Sequence, residues 1–231
     1  MTISKTKLGI FLGAVLGVLG LIHIAMVFSG QQDEELLSIF RMDFEASLLT
    51  WYSAVILLFV SAVLAFYIGW SKRKVGAKFA NHWIVLSGLL LFLSIDDGAM
   101  VHEKISTVSS MIGLQDILNS ISAELFAWSW WVIYLPIFAL ICVFLIRWFV
   151  TLPLRTKLLF ALAVLLVGVG QIGLEAFSSY LNATSGYDVF WRGIEKLVGR
   201  AGLSVLLFAI VDYIGLMPSS ERQDIKLKIV R

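Results

Sequence analysis

The sequence predicts an all-α integral membrane protein: a bundle of six transmembrane helices, both termini cytoplasmic, with short amphipathic helices on the surface between the third and fourth spans. Three observations predict it. With 59% hydrophobic and 15% charged residues and a mean hydropathy of +0.91, the chain has more apolar surface than the core of a soluble domain could hide. Its apolar residues fall into runs near the about 17 to 25 residues that carry a helix across about 30 Å of hydrocarbon, and they do not alternate as barrel strands would. Its charges, finally, are sorted by sign along the chain.

The apolar runs cover 8–28, 48–70, 79–95, 125–146, 158–174 and 201–217. Carried through their polar ends, the helices are expected at about 8–28, 48–70, 79–103, 124–147, 157–180 and 192–217, within a single domain, 1–231. The first run is longer than a signal-peptide core and no small-x-small cleavage site follows it, so it is read as an anchor. Gly9, Gly13, Gly17 and Gly20 on one flank of it would let a neighbouring helix approach closely.

Orientation follows from Lys and Arg in the short flanks, which resist translocation. Lys5 and Lys7 precede the first span; Lys72, Arg73, Lys74 and Lys78 join the second to the third; Arg147, Arg155 and Lys157 join the fourth to the fifth; Arg222, Lys226, Lys228 and Arg231 form the tail. The carboxylates gather in the intervening loops and helix ends, leaving only Asp212, Glu221 and Asp224 on the basic side. Trp51, Trp128, Trp130, Trp131 and Trp191 fall at the outer ends and Trp70, Trp83 and Trp148 at the inner ends, as interfacial indoles do. In the loop after the third span, the spacing of Ile105, Val108 and Ile112, then Leu114, Ile117, Leu118 and Ile121, predicts two short surface helices broken near Gly113.

The charge sorting gathers the chemistry at the outer face. The third span ends in Asp96-Asp97-Gly-Ala-Met-Val-His102-Glu103, and adjacent carboxylates at a membrane boundary need cations, a metal or water. In a continuous helix Asp96 and Glu103 share a face, since seven steps of about 100° return within about 20° of the start. A break at Gly98 would instead fold His102 back. Depth along the other spans brings His23, Glu124, Glu175 and Glu195 to the same layer. Hard carboxylates with one or two imidazoles suit a divalent metal ion, iron or manganese, more than structural zinc. Arg192, Lys196 and Arg200 share that layer and could instead neutralise the acids as a salt-bridge network.

The block Leu93-Ser94-Ile95-Asp96-Asp97 with His102-Glu103, preceded by Trp51-Tyr52-Ser53 and followed by Tyr134-Leu135-Pro136, Glu175 and Glu195, resembles a group of uncharacterised bacterial six-helix inner-membrane proteins that carry an Asp-Asp/Glu-x4-His-Glu motif at the end of the third helix. The resemblance implies a bacterial plasma membrane and names no reaction. Alkaline ceramidases and adipoQ-type receptors are only superficially similar, because the last span lacks their His-x-x-x-His.

The residues themselves point to a metal-dependent enzyme acting on a lipid or other membrane-dissolved substrate. His102, Glu103, Glu175 and Glu195, with Glu124 and His23, are the expected ligands, and Asp96 or Asp97 is a ligand or the general base on bound water. A proton- or cation-coupled carrier, and a non-catalytic accessory subunit whose acids merely lock the helices, are the other readings. Membrane lipids are the expected surroundings, with a homo-oligomer or a membrane-protein partner on an apolar flank; the composition offers nothing for nucleic acid.

Topology is directly measurable. On a Cys142→Ser background, single cysteines at Gln32, Asn119 and Ser185 are expected to react with an impermeant maleimide from outside intact cells, while one at Ser220 stays protected; external labelling at Ser220 would reverse the orientation.

Overall fold

The computed structural model describes residues 2–29, 33–44, 47–114, 116–117, 120, 130–173, 188–222 and 228–230. Six of its helices are long and apolar enough to span a bilayer, and the protein is a multi-pass membrane protein. The first span is α1 (Lys5–Phe28), which starts earlier than its apolar run because the Ser4 hydroxyl accepts the Lys7 N–H as an N-cap. A short surface helix, α2 (Glu34–Phe40), follows, capped by the Asp33 carboxylate. The remaining spans are α3 (Leu48–Lys74), α4 (Ala80–Ala99), α6 (Trp130–Thr151), α7 (Leu154–Gly168) and α8 (Asp188–Leu216). Between α4 and α6 lies α5 (Val101–Met111), which ends in a turn through Gly113 at φ 72°. The expected start of the fourth span at 124 and the end of the fifth at 180 lie outside the described residues.

Two spans form the axis. In α3 and α8, 56% of the most apolar window is buried within the protein, against 11% in α6, which therefore lies at the periphery. α8 packs against α1, α3 and α7, and α3 against α4. Apolar attraction cannot hold helices together where lipid is equally apolar, so close backbone approach and buried polar contacts do it. The α7–α8 crossing shows the first: a β-carbon on Gly170 would lie 2.5 Å from the Gly199 nitrogen and 2.9 Å from the Glu195 carbonyl oxygen, so only glycine fits. The α3–α4 pair shows the second, for Ser87 donates to the Ala62 carbonyl and Ser94 to the Ala54 carbonyl, each at 2.8 Å. On α1 the glycine flank is shared: Gly9 and Gly20 face Phe208 and Leu197 of α8, whereas Gly13 and Gly17 meet nothing within 4 Å.

Two departures from the sequence reading matter. Trp83 and Trp148 are not interfacial anchors; at 0% and 3% exposure they are core residues, packed edge to face with ring centroids 4.9 Å apart. Their neighbours Phe160 and Tyr213 complete an aromatic cluster at the base-rich end. Trp51 at the acid-rich end and Trp70 at the base-rich end are exposed, as interfacial residues are. The second departure is a parallel strand pair, β1 (Thr2–Ser4) with β2 (Lys228–Val230), which the hydropathy pattern does not signal. It places the two ends of the chain on one side of the bundle, beside the Lys5–Asp212 ion pair at 2.6 Å.

The α7–α8 crossing carries a stability test. Gly170→Ala is expected to destabilise by about 1 to 3 kcal/mol, because the obstructing atoms are backbone, whereas Gly13→Ala stays within about 0.5 kcal/mol of the parent; thermal unfolding in detergent measures both.

Candidate functional site

At the acid-rich end α4 stops at Ala99, and Met100 adopts a left-handed conformation, φ 52°, with its N–H bonded to the Asp96 carbonyl. The break is therefore at Met100 rather than at Gly98, which stays helical and faces Ala54. A side-chain-bearing residue in this region costs about 1 to 2 kcal/mol. The bonds made by the reversal offset that cost: the His102 backbone N–H donates to Asp96 Oδ1 at 2.8 Å, and His102 Nδ1 lies 3.2 Å from Asp96 Oδ2. The Tyr134 hydroxyl of α6 donates to Asp96 Oδ1 at 2.9 Å. Asp96 is thus buried at 9% exposure with both oxygens engaged, and it joins α4, α5 and α6.

Asp97 faces the other way, into the axis. Arg200 of α8 donates from Nη2 to Asp97 Oδ1 at 2.8 Å, and Ser53 of α3 donates to Asp97 Oδ2. Arg200 is 5% exposed and Ser53 fully buried. Ser53 lies in a π-helical stretch of α3, Tyr52–Phe59, whose wider turn puts Tyr52, Ser53 and Ala54 together on the buried face. Such segments concentrate at functional sites. α7 ends in a second one, Val169–Gly173, against α8.

The other expected ligands are dispersed. His23 is buried in α1, its Nδ1 accepting the Met42 N–H at 3.1 Å and its ring seated over Gly193, where any β-carbon would collide with it. Glu103 is exposed on α5, and Glu195 is buried on α8 at 6% exposure. Glu124 and Glu175 lie outside the described residues. Among the described residues no group of three His, Cys, Asp or Glu side chains is close enough to hold a metal ion. The structure does bring together Asp96, Asp97, His102 and Arg200, in two linked units: an acid–imidazole dyad and an ion pair.

Two partners of those units, Tyr134 and Ser53, stand in the resemblance motifs but carry no chemical role in the sequence expectations. Both sit in short polar-aromatic strings, Tyr134-Leu135-Pro136 and Trp51-Tyr52-Ser53. A hydroxyl inside an otherwise apolar span was the available signal, because it seeks a partner on a neighbouring helix.

α5 corresponds to the first of the two expected surface helices; the second, expected through Ile121, lies partly outside the described residues. Ser109 is fully buried, while Val108, Met111 and Ile112 are more than half exposed, so the apolar stripe faces outward, as on a helix bedded in lipid. Under Tyr134, between α4 and α6, an apolar cavity of about 260 Å³ is lined by Gly88, Phe92, Tyr134, Phe138 and Ile141 among others.

The family model described as domain of unknown function (DUF8692) matches residues 9–212, and the chain belongs to that family. No curated protein and no solved structure matches it.

The ion pair is separable from the dyad. Arg200→Gln removes the cation facing the half-buried Asp97 carboxylate and is expected to lower stability by about 1 to 3 kcal/mol; adding Asp97→Asn should recover much of that loss, since the two side chains share one interaction. Unfolding midpoints of the two singles and the double measure the coupling, and additive effects would rule it out.

Proposed function

We propose that this DUF8692 protein is a membrane enzyme acting on a lipid or another membrane-dissolved substrate at its acid-rich end, with Asp96, His102 and Tyr134 as the acid–base unit. The observation that carries the reading is the continuity between the apolar cavity and the dyad: Tyr134 is both a wall of the cavity and a hydrogen-bond donor to Asp96. An acyl chain or prenyl-like tail between α4 and α6 would bring a polar head to the level of Tyr134 and His102.

The chemistry follows from the Nδ1 contact. A carboxylate behind Nδ1 fixes the tautomer with a proton on that nitrogen and raises the basicity of the ring, the property an acid–base or ligating imidazole needs. In a metal-dependent form His102 would be a ligand. Glu103 and Glu195 do not gather with it into a three-residue group among the described residues, so Glu124 and Glu175 would have to supply the remaining donors, a carboxylate set that iron or manganese suits. Asp96 would then orient that imidazole, and Asp97, paired with Arg200, ties the site to the bundle axis.

The Asp97–Arg200 pair also favours a second reading, an accessory subunit in which the acids only lock the helices. A proton- or cation-coupled carrier has less support, because the buried face of α8 between Ser204 and Asp212 is filled by Leu207, Ala209, Ile210 and Val211.

Two measurements separate these readings. Elemental analysis of gently purified protein is expected to find near-stoichiometric iron or manganese in the parent and in Arg200→Gln, and about 10- to 100-fold weaker metal binding in His102→Ala. Lipid profiles of cells producing the parent and His102→Ala are expected to differ in one lipid class. Metal-free parent protein together with identical profiles would leave the helix-lock reading in place of the enzyme.

A further inference from the structure

We propose that the base-rich end, on the far side of the bundle from the acid–imidazole dyad, carries a binding site for a phosphate group, and that its occupant is the headgroup of an anionic phospholipid. The site is a cavity of about 250 Å³ between the α3–α4 turn, the α6–α7 turn and the end of α8, with Lys72, Lys78, Trp83, Trp148, Tyr213 and Glu221 in its wall. At roughly 30 Å³ per water in the liquid, it has the volume of several waters.

Three observations identify the ligand class. Lys72 is buried at 8% exposure, a costly position for an ammonium, and it is compensated there by the Glu221 carboxylate at 2.6 Å and by the Tyr213 ring, 5.8 Å from Nζ to centroid. The cavity is therefore already shaped around an oxyanion at Lys72, supplied by the chain itself. The indole N–H groups of Trp83 and Trp148 are both buried and neither finds an acceptor within the described residues. An indole nitrogen can only donate, and buried donors are nearly always bonded, so two orphans in one cavity wall call for an oxygen-rich ligand. The rim is cationic as well, with Lys78 exposed in the wall and Arg73 and Lys74 exposed at the end of α3.

A basic pocket between spans at the headgroup level is where an acidic lipid head docks. Phosphate oxygens would accept from the indoles and pair with Lys72 and Lys78. Glu221 competes for Lys72, so lipid binding and the Lys72–Glu221 fastening of the tail are mutually exclusive at that ammonium.

The test uses the full chain in neutral detergent, with bound lipid read by native mass spectrometry and unfolding temperature read alongside. Phosphatidylglycerol is expected to bind and raise the unfolding temperature, and phosphatidylcholine to do neither. Lys78→Gln, an exposed change that leaves the lipid-free protein as stable as the parent, should bind phosphatidylglycerol about fivefold more weakly. Trp148→Phe keeps a ring but removes an N–H and should also weaken it, while Glu221→Gln should strengthen it by removing the competitor. Inorganic phosphate that protects as well as phosphatidylglycerol, and loses its effect in the same variants, would assign the site to free phosphate instead of lipid. Equal binding of the two lipids, or parental phosphatidylglycerol binding in both Lys78→Gln and Glu221→Gln, would overturn the proposal whether or not Trp148→Phe folds.

Discussion

A guanidinium among membrane-spanning helices is tolerable only where an anion meets it, and here the anion comes from a different helix. Arg200 of α8 and Asp97 of α4 form that pair at 2.8 Å, with the Ser53 hydroxyl of α3 completing the carboxylate's bonds. Three spans are thereby fixed in register at one depth. Much else at the acid-rich end follows. Asp97 points inward because Arg200 is there, so its neighbour Asp96 points toward α6, where Tyr134 can reach it. The reversal at Met100 then has a buried carboxylate on which to fold His102. Without the pair, the adjacent acids would repel each other at the end of α4 with nothing to assign them to separate sides.

The fold was legible because a bilayer imposes a coarse and additive criterion, and six runs such as those around Leu12, Ala65 and Ile210 each satisfy it on composition alone. The sorting of acids and bases was legible for the same reason. Depth along a helix follows from residue count, which is why the expected site could be written as a layer. What depth does not give is rotation about the helix axis. Residue count assigns His23 and Asp96 to one layer, yet His23 turns toward Met42 and Gly193 while Asp96 turns toward Tyr134. Trp83 and Trp148 illustrate the same gap, because their positions near the inner ends suit interfacial anchors and only the helix rotation puts them in the core. The π-helical stretch of α3 shifts the buried face by a fraction of a turn, and no propensity in Tyr52–Phe59 announces it.

The polar groups of this bundle are concentrated at its two ends, with the middle left to serine–carbonyl contacts and glycine crossings. Asp212 is the counterpart of Asp97 on the opposite side: 1% exposed, with Lys5 at 2.6 Å and Arg155 at 3.1 Å. Each end therefore has a carboxylate neutralised by a cation from another helix, half-buried at Asp97 and fully buried at Asp212. The division suits a protein whose ends do different things, one arranged around an acid–imidazole dyad and the other around cations and indoles.

The position of the axial helix in the chain has a consequence for biogenesis. α8 follows every other span, so during synthesis the five earlier helices enter the bilayer before the element that most of them pack against exists. Until it arrives, Asp97 waits in a hydrocarbon boundary without its guanidinium, Asp212 is not yet there for Lys5, and Gly170 presents bare backbone to lipid. α3 and α4 carry their own packing and serine–carbonyl bonds and can pair beforehand, but α1 and α7 gain their main partner only with the last helix, so closure of the bundle around α8 is a late event.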